Sequence, residues 1–256
     1  MPTFEIKDGR ILTWSLEAHI VDHCNLACQH CCTLSPHLDE RTMSVDALAA
    51  DLDRAKRALR PNVFKLTGGE PLLHPNLLEC LRTVRRSGIA EAIQVTTNGH
   101  LIKRAPPAFW EEIDRLTVSF YSSAPLAQPL QSYIETKTDE HDVELIVKDR
   151  DSFQVMDAGP PPHSDEKTRE IHENCWLRVR CHMIYDGRFY TCTRPPHIRD
   201  RLADHDIDLP LDDEGVDLAG DRLAKRIKDY LESDVPLESC RYCLGGSGDW
   251  EPHRQL

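Results

Sequence analysis

Residues 23–32, HCNLACQHCC, place four cysteines within nine positions. Cys24, Cys28 and Cys31 have the spacing C-x3-C-x2-C, and Cys32 is left over. Soft thiolate ligands suit iron–sulfur clusters and zinc. Three thiolates leave one iron of a [4Fe–4S] cluster without a protein ligand, open to bind something else. A structural zinc would ask for four protein ligands, usually as two C-x-x-C pairs. Plain packing is the remaining reading. The preceding residues 13–21, TWSLEAHIV, read as a strand, so the cysteines sit where a parallel sheet carries its ligand-binding loops.

Working outward, the chain of 256 residues has length for one large domain or two small ones. Its net charge of −12 argues against nucleic acid and anionic membranes, whose phosphates it would repel. The first residues, MPTFEIKDGRIL, lack the basic and apolar regions of a signal peptide, and no apolar run approaches the ~18 residues of a membrane span. A soluble, cytoplasmic protein is expected. Ten cysteines in a reducing compartment are more often ligands or catalytic groups than disulfides.

Strands and helices alternate after the cysteine loop. Ser44 is a good N-cap for an amphipathic helix carrying Leu48, Leu52 and Leu59. NVFKLT is a strand leading into the turn GGEP, and NLLECLRTVRRSG is a helix ended by Gly88. EAIQVTTNG, DRLTVSFYSS and VELIVKD are further strands, with a short helix at FWEEI; SFQVMDAG follows too closely for a helix between. This order predicts an α/β fold, a partial TIM-like parallel β/α barrel that is open and poor in helices after the fifth strand. Residues 159–163, GPPPH, read as a linker, dividing the chain into 1–158 and 159–256. The second unit holds a hairpin, HMIYDGRFYTCT, turning at Asp186-Gly187. A long acidic loop over 205–217 follows, then a helix with Leu223, Ile227, Tyr230 and Leu231 on one face.

The cysteine spacing, followed after the second strand by LTGGEPLL (66–73), resembles the radical S-adenosylmethionine (radical SAM) enzymes over roughly residues 14–150. The resemblance implies that Cys24, Cys28 and Cys31 hold a [4Fe–4S] cluster whose open iron binds SAM. Gly68 and Gly69 would let the chain's backbone approach the methionyl part of SAM, and Glu70 would lie near the methionine amino group. Thr97 and Asn98 of TTNG, and Ser119 at the end of the fourth strand, fall where family members contact SAM. His30 stands where the family usually has an aromatic residue beside the adenine. In such enzymes the reduced cluster cleaves SAM to a 5′-deoxyadenosyl radical that abstracts hydrogen from an unactivated C–H bond. A reductant such as flavodoxin or ferredoxin is implied as the electron donor.

Cys175, Cys192, Cys240 and Cys243, with Gly187 five positions before Cys192, resemble the family's twitch module, which binds one auxiliary [4Fe–4S] cluster. Cys181 is too near the glycine for that pattern, though it is an alternative to Cys175, and a structural zinc remains the plainer reading of the set. Cys80 reads as core; Cys32 and Cys181 are spare, as packing residues or hydrogen-atom donors. Small twitch-type members act on aminocyclitols and sugars in antibiotic pathways; those of the 2-deoxy-scyllo-inosamine dehydrogenase type match in size and layout. The implied reaction is oxidation of a secondary alcohol, or epimerisation of its carbon, on a sugar, aminocyclitol or nucleoside. Alternatives are a peptide maturase, decarboxylation, sulfur insertion or rearrangement, and, outside catalysis, an iron–sulfur electron carrier, against which the GGE turn argues. Glu17 and His19 alternate in facing with the apolar residues of the first strand, so they are candidates to point into the barrel. Tyr185, Arg188, Tyr190 and Arg194 flank the hairpin as further catalytic candidates, and Trp250 is a candidate to close the site.

Overall fold

The computed structural model describes residues 4–156, 159–210 and 214–256. The first long strand, β2 (Arg10–Val21), follows a short β1 (Ile6–Lys7) that pairs with it antiparallel. After it come α1 (Val45–Ala55), β3 (Leu59–Gly68), α2 (Leu77–Ser87), β4 (Ala92–Thr97), α3 (Phe109–Glu112) and β5 (Arg115–Tyr121). Next are α4 (Gln128–Glu140), β6 (Glu144–Arg150) and β7 (Ser152–Gln154). Strands β2 to β6 pair in sequence order, all parallel. With helices covering their outer side they form the expected open, partial β/α barrel.

Local signals act as read. The Ser44 hydroxyl accepts from the Ala47 amide at the start of α1. Gly88 ends α2 in the left-handed region at φ 63°. Helix α1 stops at Ala55, so Leu59 belongs to β3 and not to the helix. Helix α4 lies in a stretch the sequence reading leaves unassigned, because among its thirteen residues only Ile134 and Thr138 are fully buried. The short β7 does not extend the barrel: it pairs antiparallel with β11 (Trp250–Pro252) in a separate ribbon. Residues 157 and 158, at the end of that expected strand, lie outside the described residues.

The remainder comprises α5 (Asp165–Asn174), the hairpin β8 (Met183–Tyr185) and β9 (Arg188–Tyr190), α6 (Pro195–Ala203), β10 (Val216–Asp217) and α7 (Leu223–Leu231). Asp186 and Gly187 turn the hairpin at φ 49° and 74°, as that dipeptide predicts. Helices α5 and α6 are not anticipated; α5 has Ile171 as its one apolar residue, and α6 opens on two prolines. Helix α6 interrupts the segment ahead of the expected acidic loop, of which residues 211–213 lie outside the described residues. Strand β8 pairs parallel with β2, on the side opposite β3. Strand β2 is therefore central in the sheet, and Leu16, Ala18 and Ile20 on its outer face are fully buried. The core of the sheet takes in Ile184 and Phe189 of the hairpin and Ile227 and Leu231 of α7. Among the described residues no helix is long and apolar enough to cross a membrane.

Candidate functional site

Strand β2 delivers the cysteine loop at its carboxyl end, and the GGE turn lies directly beneath it. A Cβ on Gly68 would stand 2.1 Å from the Val21 carbonyl oxygen, and one on Gly69 would stand 2.1 Å from that of His23. Gly68 also adopts φ +145°. The crossing is held by the Gly69 amide donating to Val21 O (2.7 Å) and the Glu70 amide donating to His23 O (3.1 Å). The two glycines thus let the turn approach the cysteine loop's own backbone.

Glu70 is fully buried and ties this turn to the next strand end. Its carboxylate accepts from the Leu72 amide (3.1 Å), the Thr97 hydroxyl (2.7 Å) and the Asn98 amide (2.9 Å). Burial pushes its pKa up to about 7, against the pull of those three donors. Asn98 in turn donates to Asn25 Oδ1 (2.8 Å) and reaches Cys24 Sγ at 3.6 Å. Three strand ends are therefore laced into one platform around the thiols.

The thiols themselves receive donors. The Leu26 amide points to Cys24 Sγ (3.4 Å), Gln255 Nε2 donates to Cys28 Sγ (3.3 Å), and Thr33 Oγ1 lies 3.3 Å from Cys31 Sγ. Burial, with further contributions from the neighbouring thiols, pushes Cys24 up to about 12 and Cys28 up to about 11. A bound cationic cluster reverses that preference, because a coordinating thiol is deprotonated. Residues 254–256 lie along the loop: Gln29 N donates to Arg254 O and Leu256 N to Ala27 O. The His30 ring is 3.1 Å from Glu251 Oε2, so the residue at the family's aromatic position is engaged by β11. On that ribbon Trp250 is 62% exposed, pairing with Gln154 through its backbone.

The register places alternate side chains of every barrel strand on the inner face. Glu17 lies opposite Lys65, Gln94 opposite Arg115, Thr96 opposite Thr117, and Ser119 opposite Lys148. This face is mostly polar, with Val63 and Ile146 as apolar members, while Leu16, Phe64, Val95 and Leu116 carry the apolar outer side. Glu17 and His19 point inward as expected, Oε1 to Nε2 at 3.6 Å. Burial alone would raise the Glu17 carboxyl, but His19 and Lys65 outweigh it and hold it below the usual range. His19 Nδ1 lies 2.8 Å from Nε2 of His197, a residue the sequence does not flag. Burial, with His19 and Arg194 beside it, holds His197 well below the ordinary imidazole range, so it is neutral. Tyr185 donates to Asp22 Oδ2 (2.7 Å) beneath the Arg41 guanidinium. Arg188 donates to the Gly215 carbonyl at the outer hairpin edge, and Tyr190 is buried in the core.

The second cysteine set gathers on turns beyond the hairpin. Cys175 caps α5, Cys192 follows β9, and Cys240 and Cys243 bracket a tight turn. Burial and the nearby Cys175, Cys240 and Cys243 all raise Cys192. Arg194, 1% exposed, joins the two sets: its Nε donates to Cys243 Sγ (3.1 Å) and its Nη1 to Cys32 O (2.6 Å). Cys181 is elsewhere. Its electrostatic neighbours are Glu17, Lys65, Cys32 and Lys148, which place it in the barrel interior. Cys32 stands near Arg194, Glu17 and Arg150 and keeps accessible surface, so it is not packed away as expected. Cys80 is core, as read. Among the described residues no three His, Cys, Asp or Glu side chains are close enough to share one metal ion. A four-iron cluster takes one thiolate per iron and does not require them to converge.

The radical SAM superfamily sequence model matches residues 19–148. GTP 3′,8-cyclase of Microcystis aeruginosa is 31% identical over 116 residues, 43% of this chain and 35% of that protein. The probable GTP 3′,8-cyclase of Methanothermobacter thermautotrophicus is 34% identical over 116 residues, 43% of this chain and 36% of that protein. The chain thus matches about a third of the length of these curated relatives. Among solved structures, BtrN in complex with AdoMet and 2-DOIA superposes with a TM-score of 0.54 at 15% identity, covering 93% of this chain and 96% of that one. AdoMet-bound anSMEcpe gives 0.51 at 12% identity, covering 91% and 82%. These likenesses concern the fold. Superfamily membership implies a [4Fe–4S] cluster and SAM, and the donor set fits: three thiols, two met by N–H donors and the third by a hydroxyl, above a glycine crossing and a buried carboxylate. The cysteine spacing, the GGE turn packed beneath it, the open parallel barrel and the match over 19–148 agree that this chain belongs to the radical SAM superfamily.

Proposed function

We propose that the chain is a radical SAM enzyme acting on a small polyhydroxylated metabolite held within the barrel, oxidising a secondary alcohol. The polar inner face carries this reading. Ligand pockets are predominantly apolar, whereas here Thr13 Oγ1 and Thr117 Oγ1 are buried without a hydrogen-bond partner and His19 Nε2 has only Glu17 Oε1 at 3.6 Å. Buried polar atoms call for partners, and substrate hydroxyls would supply them. When bound, the first cluster and SAM supply a 5′-deoxyadenosyl radical, and an auxiliary [4Fe–4S] cluster on Cys175, Cys192, Cys240 and Cys243 accepts one electron. The chain's own residues hold SAM through the Gly68–Gly69–Glu70 turn, Asn98 and Ser119. They also orient the substrate and take the alcohol proton. Glu17, kept ionised on the inner face beside His19 and Lys65, is the proton acceptor this geometry favours, with neutral His197 fixing the His19 ring. Arg194 places a cation between the two thiol sets and screens their charge.

The inward thiols of Cys32 and Cys181 favour a second reading, epimerisation, in which one of them returns a hydrogen atom to the opposite face of the substrate carbon. The GTP 3′,8-cyclases match over less than half of this chain, so they leave the substrate open. The decisive experiment is anaerobic iron reconstitution, followed by reductant, SAM and candidate sugars, aminocyclitols or nucleosides. Formation of 5′-deoxyadenosine with a product two mass units lighter supports oxidation. Unchanged mass with one deuterium gained from heavy water supports epimerisation. Absence of 5′-deoxyadenosine would refute both.

A further inference from the structure

Residues 253–256 run back along the cysteine loop, although 227 positions separate Cys28 from Gln255. The Gln29 amide donates to Arg254 O (2.9 Å) and the Leu256 amide to Ala27 O (2.7 Å), with Cys28 and Gln255 facing each other in an antiparallel bridge between them. Side chains alternate along such a segment. Arg254 and Leu256 are exposed, Leu256 at 67%, so burial of apolar surface does not explain why these residues follow the loop. Gln255 turns to the loop and uses both ends of its carboxamide. Its Oε1 accepts from the Ala27 amide (2.9 Å), and its Nε2 donates to Cys28 Sγ (3.3 Å). The partners fix this orientation: turned over, the amide would set its NH2 against the Ala27 N–H, donor against donor. A segment that only braced the loop would need its backbone alone. Here one side chain engages both the loop's backbone and one of its sulfurs.

The segment is anchored on the other side of the open barrel. The His253 amide donates to Asp151 O (2.8 Å), and its ring Nδ1 is 2.9 Å from Ser123 Oγ. That ring stacks on Tyr121 at 4.7 Å and meets Phe153 edge-on at 4.6 Å. Tyr121 ends β5 and Phe153 lies on β7. Just before His253, β11 pairs with β7 and Glu251 reaches His30. Strands β2 and β5 are not neighbours, because β3 and β4 lie between them. Residues 251–256 thus tie the ends of β5 and β7 to the loop that follows β2.

We infer that residues 253–256 complete the first cluster site, with Gln255 as a positioning residue that holds the loop at Ala27 and favours the thiolate of Cys28. An N–H donated to a thiolate stabilises its negative charge. Hydrogen bonds to the sulfurs raise a cluster's reduction potential, because the reduced cluster carries the greater negative charge. The inference rests on the superfamily's cluster and not on the reaction proposed above.

The test compares the full chain with Gln255→Glu and Gln255→Leu after anaerobic reconstitution. Its readouts need no turnover: iron per chain, the midpoint potential of the cluster whose electron paramagnetic resonance signal changes when SAM is added, and the rate at which a chelator removes that signal. Gln255→Glu keeps an acceptor for the Ala27 amide and loses the donor to sulfur. It should hold iron and resist the chelator as the parent does, while its potential shifts negative. Gln255→Leu loses both bonds. Its potential should also shift negative, and its cluster should be lost about fivefold faster, the scale of one hydrogen bond. Far-UV circular dichroism separates a local effect from misfolding, and if Gln255→Leu does not fold, the potential of Gln255→Glu decides alone. An unchanged potential in Gln255→Glu would overturn the inference. So would equal loss of iron from both variants with the remaining cluster at the parent potential, the pattern of a brace with no positioning role. Product formation is scored separately, so failure of the proposed reaction is told apart from failure of this inference.

Discussion

Gly69→Ala is the substitution that most directly probes how the cluster loop is built. The new Cβ would lie 2.1 Å from His23 O, 2.4 Å from His23 C and 2.9 Å from Asp22 O, all backbone atoms. Real Cβ contacts are essentially never under 3.0 Å, so the strands must part by at least 3.0 − 2.1 = 0.9 Å. That motion stretches both crossing hydrogen bonds, Gly69 N to Val21 O and Glu70 N to His23 O. Overpacking costs about 1–3 kcal/mol and each lost hydrogen bond about 1 kcal/mol, giving a loss of roughly 3–5 kcal/mol. This is a large share of a typical stability of about 5–15 kcal/mol. Gly88→Ala is the control: its Cβ meets nothing within 4 Å, and its φ of +63° costs only about 1 kcal/mol. Urea denaturation of the metal-free proteins gives the two losses, and iron analysis after reconstitution shows whether the loop still assembles. If Gly69→Ala lost no more stability than Gly88→Ala and kept its iron, the close crossing would not be what demands glycine there.

Glu70→Gln should cost about 1–3 kcal/mol, because an amide cannot accept from all three donors around the carboxylate. It should also flatten the pH profile. With the folded pKa raised to about 7 from the ordinary 4.5, Glu70's stabilisation is full below pH 4.5 and is lost as pH rises through 7, so urea midpoints of the parent should fall across that window more than those of the variant. Cys175→Ala should reduce iron from about eight toward about four per chain, whereas Cys181→Ala, facing the barrel interior, should keep all of it; the reverse pattern would transfer the ligand role to Cys181. Gln255→Leu removes an N–H donor from Cys28 Sγ and should shift the cluster potential negative by roughly 20–60 mV in a redox titration, the one-electron equivalent of about 0.5–1.5 kcal/mol.

Much of the site is written in short stretches. C-x3-C-x2-C, GGE, the Ser44 cap, the αL glycine Gly88 and the Asp186-Gly187 turn act through atoms a few residues apart, so their chemistry is local and readable. The inward facing of Glu17 and His19 follows from strand alternation alone. Weakly amphipathic helices escape: α4, α5 and α6 hold few apolar residues, and their existence depends on what they dock against. The pairing of β8 with β2 depends on long-range hydrogen bonding. So does the pairing of β7 with β11, and neither has a sequence signal. His197 and Gln255 are ordinary letters in the chain, and Arg194 is marked only by its place beside the hairpin. They become site residues when α6 and residues 254–256 fold against the end of β2. Sequence alone determined the class of chemistry, because ligand spacing and turn geometry belong to single loops. Tertiary structure decided which interior faces that chemistry, because convergence of side chains from distant strands is a property of the assembled sheet.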